Sequence, residues 1–170
     1  GAMHTWMWGY LFPEFADGLV PLASNPVEIA GRNRVWRKAL VDAIVTDPEW
    51  NGGNYTTPPR GMASAIGFLL MATSVPMQWQ RQFPTAEAAD KYLASQIASR
   101  MKSSDANDMS YYFRASEDYN PEPYLEKITR PLLAINSADD FVNPPELPMM
   151  QDLIKRVKHA AVDAEQSLSA

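Results

Sequence analysis

The sequence predicts a mostly helical α/β protein in which a block of four helices lies between two short strands, with no complete sheet. An apolar run from Leu132 to Ile135 enters an acidic turn and leaves through two prolines, which is typical of a buried strand followed by a loop and a helix. A second short apolar run, Leu19 to Ala23, ends in polar and proline residues. Between the two runs, apolar residues recur at helical spacing.

The elements before the acidic turn follow from local patterns. Residues 3–10 lack strand alternation and predict a buried helix that ends at Gly9. Pro21 removes a backbone donor from the first strand, which favours an edge position or a very short strand. The four helices of the block begin at, or are capped by, Gly31, Pro59, Thr85 and Asp105 in turn.

The elements after the acidic turn are predicted to be helical. Leu147 and Val157 belong to an apolar pattern at helical spacing, and the pattern continues through Ala161, Ala164 and Leu168. The C-terminal tail is therefore predicted to be a helix.

Composition excludes several classes of function. The 170 residues carry a formal charge of -5 without a basic run, so nucleic acid is not expected as a partner. Cysteine is absent, which excludes disulfides and thiolate metal sites. The longest uncharged run, Met62 to Met77, is shorter than the roughly 20 residues of a spanning helix, and no signal peptide is visible. Localisation stays open, with the cytoplasm as the default expectation, and Gly1 and Ala2 are either native or a cloning remnant.

Asp140 is the candidate catalytic residue. A carboxylate on the loop after a sheet strand can orient a histidine, as in acyl-transfer triads. The alternative is that Asp139 and Asp140 are ordinary turn residues, because aspartate bonds to nearby backbone amides in turns. His4, in an aromatic helix, and His159, in a lysine-rich stretch, are interpreted as structural or solvated, and no metal or cofactor site is expected.

Four stretches of the sequence occur in an order and spacing that carry a family resemblance. They are GAMHTWMWG, then DAIVTDPEWNGGNY with PPRGM, then DANDMSYYFRASEDY, and finally PLLAINSADDFVNPPE. Together they resemble the homoserine O-acetyltransferase-like branch of the α/β-hydrolase fold, over roughly residues 1–158. The resemblance implies a single domain with a residual hydrolase core at 1–29 and 128–158, a helical lid at 30–127 and a divergent helical tail at 159–170.

The resemblance also implies roles for individual residues. The match of SADDFVNPP to the acid loop of the family assigns the triad aspartate to Asp140. The family nucleophile lies in a Gly-x-Ser-Met-Gly turn, and if Gly1 is its last glycine, the serine would stand two positions before Gly1. The triad histidine is expected after a further strand, and neither that strand nor its His loop is recognisable, since His159 does not match. Ile66 stands where the family commonly has an arginine, which weakens homoserine as the substrate.

The resulting hypothesis is a truncated member of this branch that lacks triad activity on its own. Acetyl-CoA would be the acyl donor only if this chain shared the acyltransferase activity of the intact family. Two alternatives remain open: a self-associating helical interaction module, or one piece of a split acyltransferase or hydrolase. We expect a homo-oligomer, such as a dimer formed through the lid helices, or a complementing chain that carries the serine and the histidine.

Overall fold

The chain divides into two compact units. The computed structural model describes residues 1–137, 140, 142–143, 147–158 and 160–165. Unit 1 comprises residues 1–29 and the described residues from 118 onward, and unit 2 comprises residues 30–117. The described helices and strands are α1 (Ala2–Leu11), α2 (Gly31–Val45), α3 (Gly61–Ala72), α4 (Pro76–Gln82), α5 (Ala86–Ser103), α6 (Ala106–Arg114), β1 (Leu132–Ser137), α7 (Leu147–Ile154) and β2 (Ala160–Glu165), with 3₁₀ helices at Pro48–Gly53 and Glu122–Lys127.

The small sheet lies in unit 1, and β1 occupies its centre. β1 pairs in parallel with β2, in a register that places Leu132 opposite Ala160. On its other side, β1 forms parallel bridges to residues 19–23, here called the edge segment. The strand predicted at these residues is therefore present as bridges at the edge of the sheet.

Pro21 explains why the edge segment pairs only through bridges. The amide of Leu19 donates to the carbonyl of Pro131 at 2.9 Å, and the amide of Ala23 donates to the carbonyl of Ile135 at 2.8 Å. In a parallel ladder the intervening bond would come from the amide of residue 21, and proline has no N–H to donate. The predicted effect of Pro21 is confirmed.

The two faces of this sheet differ in burial. One face is buried and packs within the core of unit 1, which includes Trp6, Leu125, Ile128, Met150 and Ile154. The residues of this buried face are Leu19, Pro21, Leu132, Ala134 and Asn136. Val20, Leu22 and Leu133 alternate with them and are exposed on the opposite face, as the period of two residues in a strand requires.

The predicted C-terminal helix is wrong. Residues 160–165 form β2, so a further strand does follow α7. The alanine-rich composition favours a helix locally, but pairing with the backbone of β1 outweighs that preference. Leu168 lies outside the described residues.

Unit 2 is helical and has a core of its own. α3 packs on α2 and α5, and α2 also packs on α6. Its buried residues include Leu40, Ile44, Met62, Ile66 and Phe113. The predicted N-cap at Thr85 is confirmed, because its hydroxyl accepts a bond from the amide of Ala88 at 3.2 Å. The α4 helix was not predicted, although Pro76 occupies its first turn, where proline is well tolerated.

The start of α3 approaches α2 very closely at Gly61. A Cβ atom at this position would lie 1.7 Å from the carbonyl oxygen of Ala43, so only glycine fits. The amide of Gly61 donates to Oδ2 of Asp47 at 2.5 Å, which ties the helix start to the preceding loop. Gly67, on the same helix, has open space around its Cβ position.

Within the described residues, no individual helix combines the length and apolar character needed to cross a membrane. The α3 and α4 helices pass that criterion only as a pair, and they are bent by 107° at the break between them.

Candidate active site

The loop that follows β1 holds Asp140 in a defined position. The amide of Asp140 donates to the carbonyl of Ser137 at 3.2 Å. Its carboxylate oxygen Oδ1 accepts bonds from the amides of Val142, at 2.7 Å, and Asn143, at 2.9 Å. No described residue donates a hydrogen bond to the other oxygen, Oδ2. One oxygen is therefore held by the loop, and the second remains an available acceptor.

Asparagine side chains connect this loop to the edge segment. Nδ2 of Asn143 donates to the carbonyl of Ala23 at 3.0 Å. Nδ2 of Asn136, the fifth residue of β1, donates to Oδ1 of Asn25 at 3.1 Å and lies 3.4 Å from the carbonyl oxygen of Asn143. These bonds join the carboxyl ends of two parallel strands, where α/β proteins place their functional side chains.

Asn136 and Ala23 are the unusual members of this network. Asn136 is 2% exposed, and its Oδ1 atom has no hydrogen-bond partner. A buried acceptor without a partner is unfavourable, by roughly 1–3 kcal/mol. Ala23 has a φ of 52°, in the left-handed region that non-glycine residues seldom occupy. Such departures often occur at functional sites, so both support the choice of this strand end as a candidate site.

Two aromatic side chains hold the network from within unit 1. Nε1 of Trp6 donates to the hydroxyl of Ser24 at 3.0 Å, and both residues are buried. The hydroxyl of Tyr119 donates to the carbonyl of Asn25 at 2.9 Å. Burial raises the pKa of the Tyr119 phenol, and the nearby Tyr10 raises it further, so this phenol stays protonated and acts as a hydrogen-bond donor.

The predicted site residues are not brought together as a triad in the described part of the chain. Asp140 lies where the sequence predicted it, on the loop after β1, and its catalytic role stays a prediction. His4 is exposed on α1, and its Nδ1 lies 3.0 Å from the N-terminal amino group. No hydrogen bond or ion pair joins Asp140 to His4, whereas Asp139 and His159 lie outside the described residues.

Sequence reasoning missed Asn25, Asn136 and Asn143. Each lies at or just after a strand end, and that position is a usable signal. The sequence did not show that these side chains come together, because Asn25 and Asn136 are 111 residues apart. Among the described residues, no group of three His, Cys, Asp or Glu side chains could hold a metal ion.

Carboxylates with lowered pKa in unit 2 act as helix caps. Hydrogen bonds from Tyr55 and from two backbone amides lower the pKa of Asp105, the N-cap of α6. Bonds from the amides of Gly61 and Glu49 lower the pKa of Asp47. Both sets of bonds satisfy amides at helix starts, so these groups are structural.

A cleft of about 220 Å³ lies elsewhere in unit 1. Its lining is mostly apolar. It includes Trp8 of α1, Phe12 and Phe15 of the loop that follows α1, and Leu19. Arg130 lies at the cleft and donates to the carbonyl of Pro13 at 2.9 Å. The cleft contains none of the residues of the Asp140 network.

Comparison with known proteins identifies the class of fold. The homoserine O-acetyltransferase from Bacillus anthracis superposes with a TM-score of 0.86 at 20% identity, over 99% of this chain and 52% of that protein. The esterase E22 superposes with a TM-score of 0.81 at 18% identity, over 98% of this chain and 53% of that protein. The acetyl esterase MekB gives a TM-score of 0.80 at 13% identity, over 98% and 51% of the two chains. The fold is that of an α/β-hydrolase, and the predicted fold class, a mostly helical fragment of it, is confirmed.

Sequence comparison finds related homoserine O-acetyltransferases. No protein-family model matches the chain. The homoserine O-acetyltransferase of Carboxydothermus hydrogenoformans is 28% identical over an alignment 193 residues long, which covers 96% of this chain and 49% of the relative. That of Trichormus variabilis is 28% identical over an alignment 168 residues long, which covers 85% of this chain and 45% of the relative. The chain is similar in sequence to the homoserine O-acetyltransferase-like branch of the α/β-hydrolases, and it spans about half the length of the curated relatives it matches.

Proposed function

We propose that this chain supplies the acid loop of an acyl-transferring or ester-hydrolysing site and is inactive by itself. The observation that carries the proposal is the geometry of Asp140, whose Oδ1 is held by two amides while Oδ2 accepts no bond from a described residue. A carboxylate held in this way can accept a bond from an imidazole N–H and stabilise the imidazolium that forms during acyl transfer. The nucleophilic serine and the histidine would come from a complementing chain.

The side chain at position 66 favours ester hydrolysis over transfer to homoserine. Ile66 is fully buried in the core of unit 2, where the family commonly has arginine. A guanidinium is the natural partner of an amino-acid carboxylate, and isoleucine offers no such charge. Water is therefore the proposed acyl acceptor. Acetyl-CoA would serve as the donor only if the transferase activity of the named relatives applied to the assembled site.

The purified chain tests this proposal with p-nitrophenyl acetate as the substrate. We expect hydrolysis at the background rate, because a carboxylate alone cannot form an acyl-enzyme by triad chemistry. Asp140→Asn is the informative variant, since asparagine can keep both amide bonds at Oδ1, and Asp17→Asn is a control at an exposed carboxylate. Hydrolysis above background that disappears only in Asp140→Asn would overturn the claim of inactivity.

Exposed apolar side chains in unit 2 favour a second candidate, a self-associating helical module. Met71 and Met77 are exposed, as are Tyr111 and Tyr112. Exposed apolar side chains mark protein interfaces where they form a contiguous patch. We expect a dimer in sedimentation experiments that weakens in a Met71→Lys and Met77→Lys double variant, and a strict monomer at high concentration would contradict it.

A further inference from the structure

Two arginines of α2 lie side by side in unit 2. Arg34 and Arg37 are three residues apart, so they share one face of the helix. Nη1 of Arg37 donates to the hydroxyl of Ser116 at 3.0 Å, and Nη1 of Arg34 donates to the carbonyl of Glu117 at 3.4 Å. Because these two acceptors belong to consecutive residues, both guanidinium groups meet the same short segment after α6.

The guanidinium of Arg37 is held in a fixed position. Its Cζ atom lies 5.2 Å from the ring centroid of Trp36 and 5.5 Å from that of Phe113. Its Nε donates to Oδ1 of Asn33 at 2.7 Å, and its Nη2 donates to no described residue. A guanidinium that is already ordered loses little conformational entropy when it binds a further group.

The charges of these two arginines have no acidic partner in the described part of the chain. Neither guanidinium forms an ion pair with a described carboxylate, and Glu117 contacts Arg34 through its carbonyl oxygen. Burial lowers the pKa of Arg37, the nearby charge of Arg34 lowers it further, and Tyr112 raises it. Both side chains are partly buried, so two adjacent positive charges are unfavourable here without an anion.

We propose that Arg34 and Arg37 form a binding site for a phosphate group, carried either by inorganic phosphate or by a nucleotide. Two guanidinium charges match a phosphate dianion, whereas a carboxylate carries a single charge. Tyr112 is 74% exposed, and its ring packs edge-on against Phe113, so it offers a face on which a base can stack. The site lies within unit 2 and does not depend on the proposed function.

Thermal unfolding of the 170-residue chain tests the site, with inorganic phosphate compared with sodium chloride at equal ionic strength. We expect a higher melting temperature in phosphate, because a ligand that binds only the folded chain stabilises it, whereas screening acts alike in both salts. Adenosine monophosphate is the second probe. Tighter binding of this nucleotide than of inorganic phosphate would identify a nucleotide as the source of the phosphate group, and equal binding would identify the free anion.

Substitutions at Arg34 provide the decisive variants. Arg34→Gln should weaken phosphate affinity by about tenfold or more, since it removes one of the two charges. Arg34→Lys keeps the charge without the planar fork and should retain part of the affinity. Arg81→Gln is the matched control, because Arg81 is an exposed arginine on α4 of the same unit, and it should leave the affinity unchanged.

Three outcomes would overturn the inference: equal melting temperatures in phosphate and chloride, equal phosphate effects in the wild-type chain and Arg34→Gln, or equal losses of affinity in Arg34→Gln and Arg81→Gln. The second outcome is the one expected if the arginines only cap the backbone after α6, since Arg34→Gln would then lower the melting temperature by the same amount in both salts. Each variant is compared with its own melting temperature in chloride, so a destabilised variant still reports on binding.

Discussion

Unit 1 and unit 2 bury their apolar residues in different ways. In unit 2, helices pack around one core, and side chains such as Asp47, Tyr55 and Asp105 bond to the backbone where helices begin. In unit 1, helices cover one face of a small sheet, while the opposite face exposes Val20 and Leu22.

The contrast shows how element type determines the need for a partner. An α-helix satisfies its backbone groups internally, so a helical unit needs only to cover its apolar stripe. A strand depends on its neighbours for every backbone bond and presents two faces, so a sheet of few strands leaves both needs unmet. The open sheet face with Val20 and Leu22 accordingly lies in unit 1.

The largest expected effect concerns the backbone contact between α2 and α3 in unit 2. Gly61→Ala places a Cβ against the carbonyl of Ala43, so we expect a loss of at least about 3 kcal/mol in the free energy of unfolding. Gly67→Ala has open space and should stabilise α3 by about 0.5–1 kcal/mol through helix propensity. Urea unfolding of both variants measures the difference. Similar stabilities would show that the close approach of α2 and α3 is not required.

A smaller effect is expected in unit 1, at two tryptophans of α1. Trp6→Phe removes the donor to the buried hydroxyl of Ser24, so we expect a loss of about 1–3 kcal/mol. Trp8→Phe changes a side chain that is 43% exposed and should alter stability by less than about 0.5 kcal/mol. Thermal and urea unfolding provide the comparison, and equal losses would contradict the structural role assigned to the Trp6 bond.

The smallest expected effect is the pH dependence of unit 2. The pKa values of Asp47 and Asp105 are lowered in the folded state, so their contribution to stability is complete above the ordinary carboxyl pKa of about 4 and is lost as pH falls through the lowered values. We expect the melting temperature to fall below about pH 4. Asp47→Asn with Asp105→Asn should flatten that fall, since asparagine can still cap the helices. An unchanged acid slope in the double variant would show that other groups cause it.

The parts of the fold that local chemistry determines were predictable from the sequence. The apolar run before Asp140 indicated β1 and its loop, and Thr85 and Asp105 indicated the starts of α5 and α6. Each of these signals lies within a few residues of the element it defines. The family resemblance rested on the same kind of signal.

The parts that depend on long-range pairing were not predictable. Residues 160–165 carry a helical composition and become a strand only because β1 lies beside them. The Asn25 to Asn136 bond joins residues that no local pattern connects. The assignment of Asp140 as a triad acid stays a prediction, because its role depends on groups that lie outside the described residues.

Pro21 affects the dynamics of the edge segment as well as its geometry. Because Pro21 removes one bond from the middle of the ladder, the segment is held there only by the amides of Leu133 and Ile135, which donate to the carbonyls of Leu19 and Pro21. We expect the two ends of the segment to open independently, so their amides would exchange with solvent at different rates.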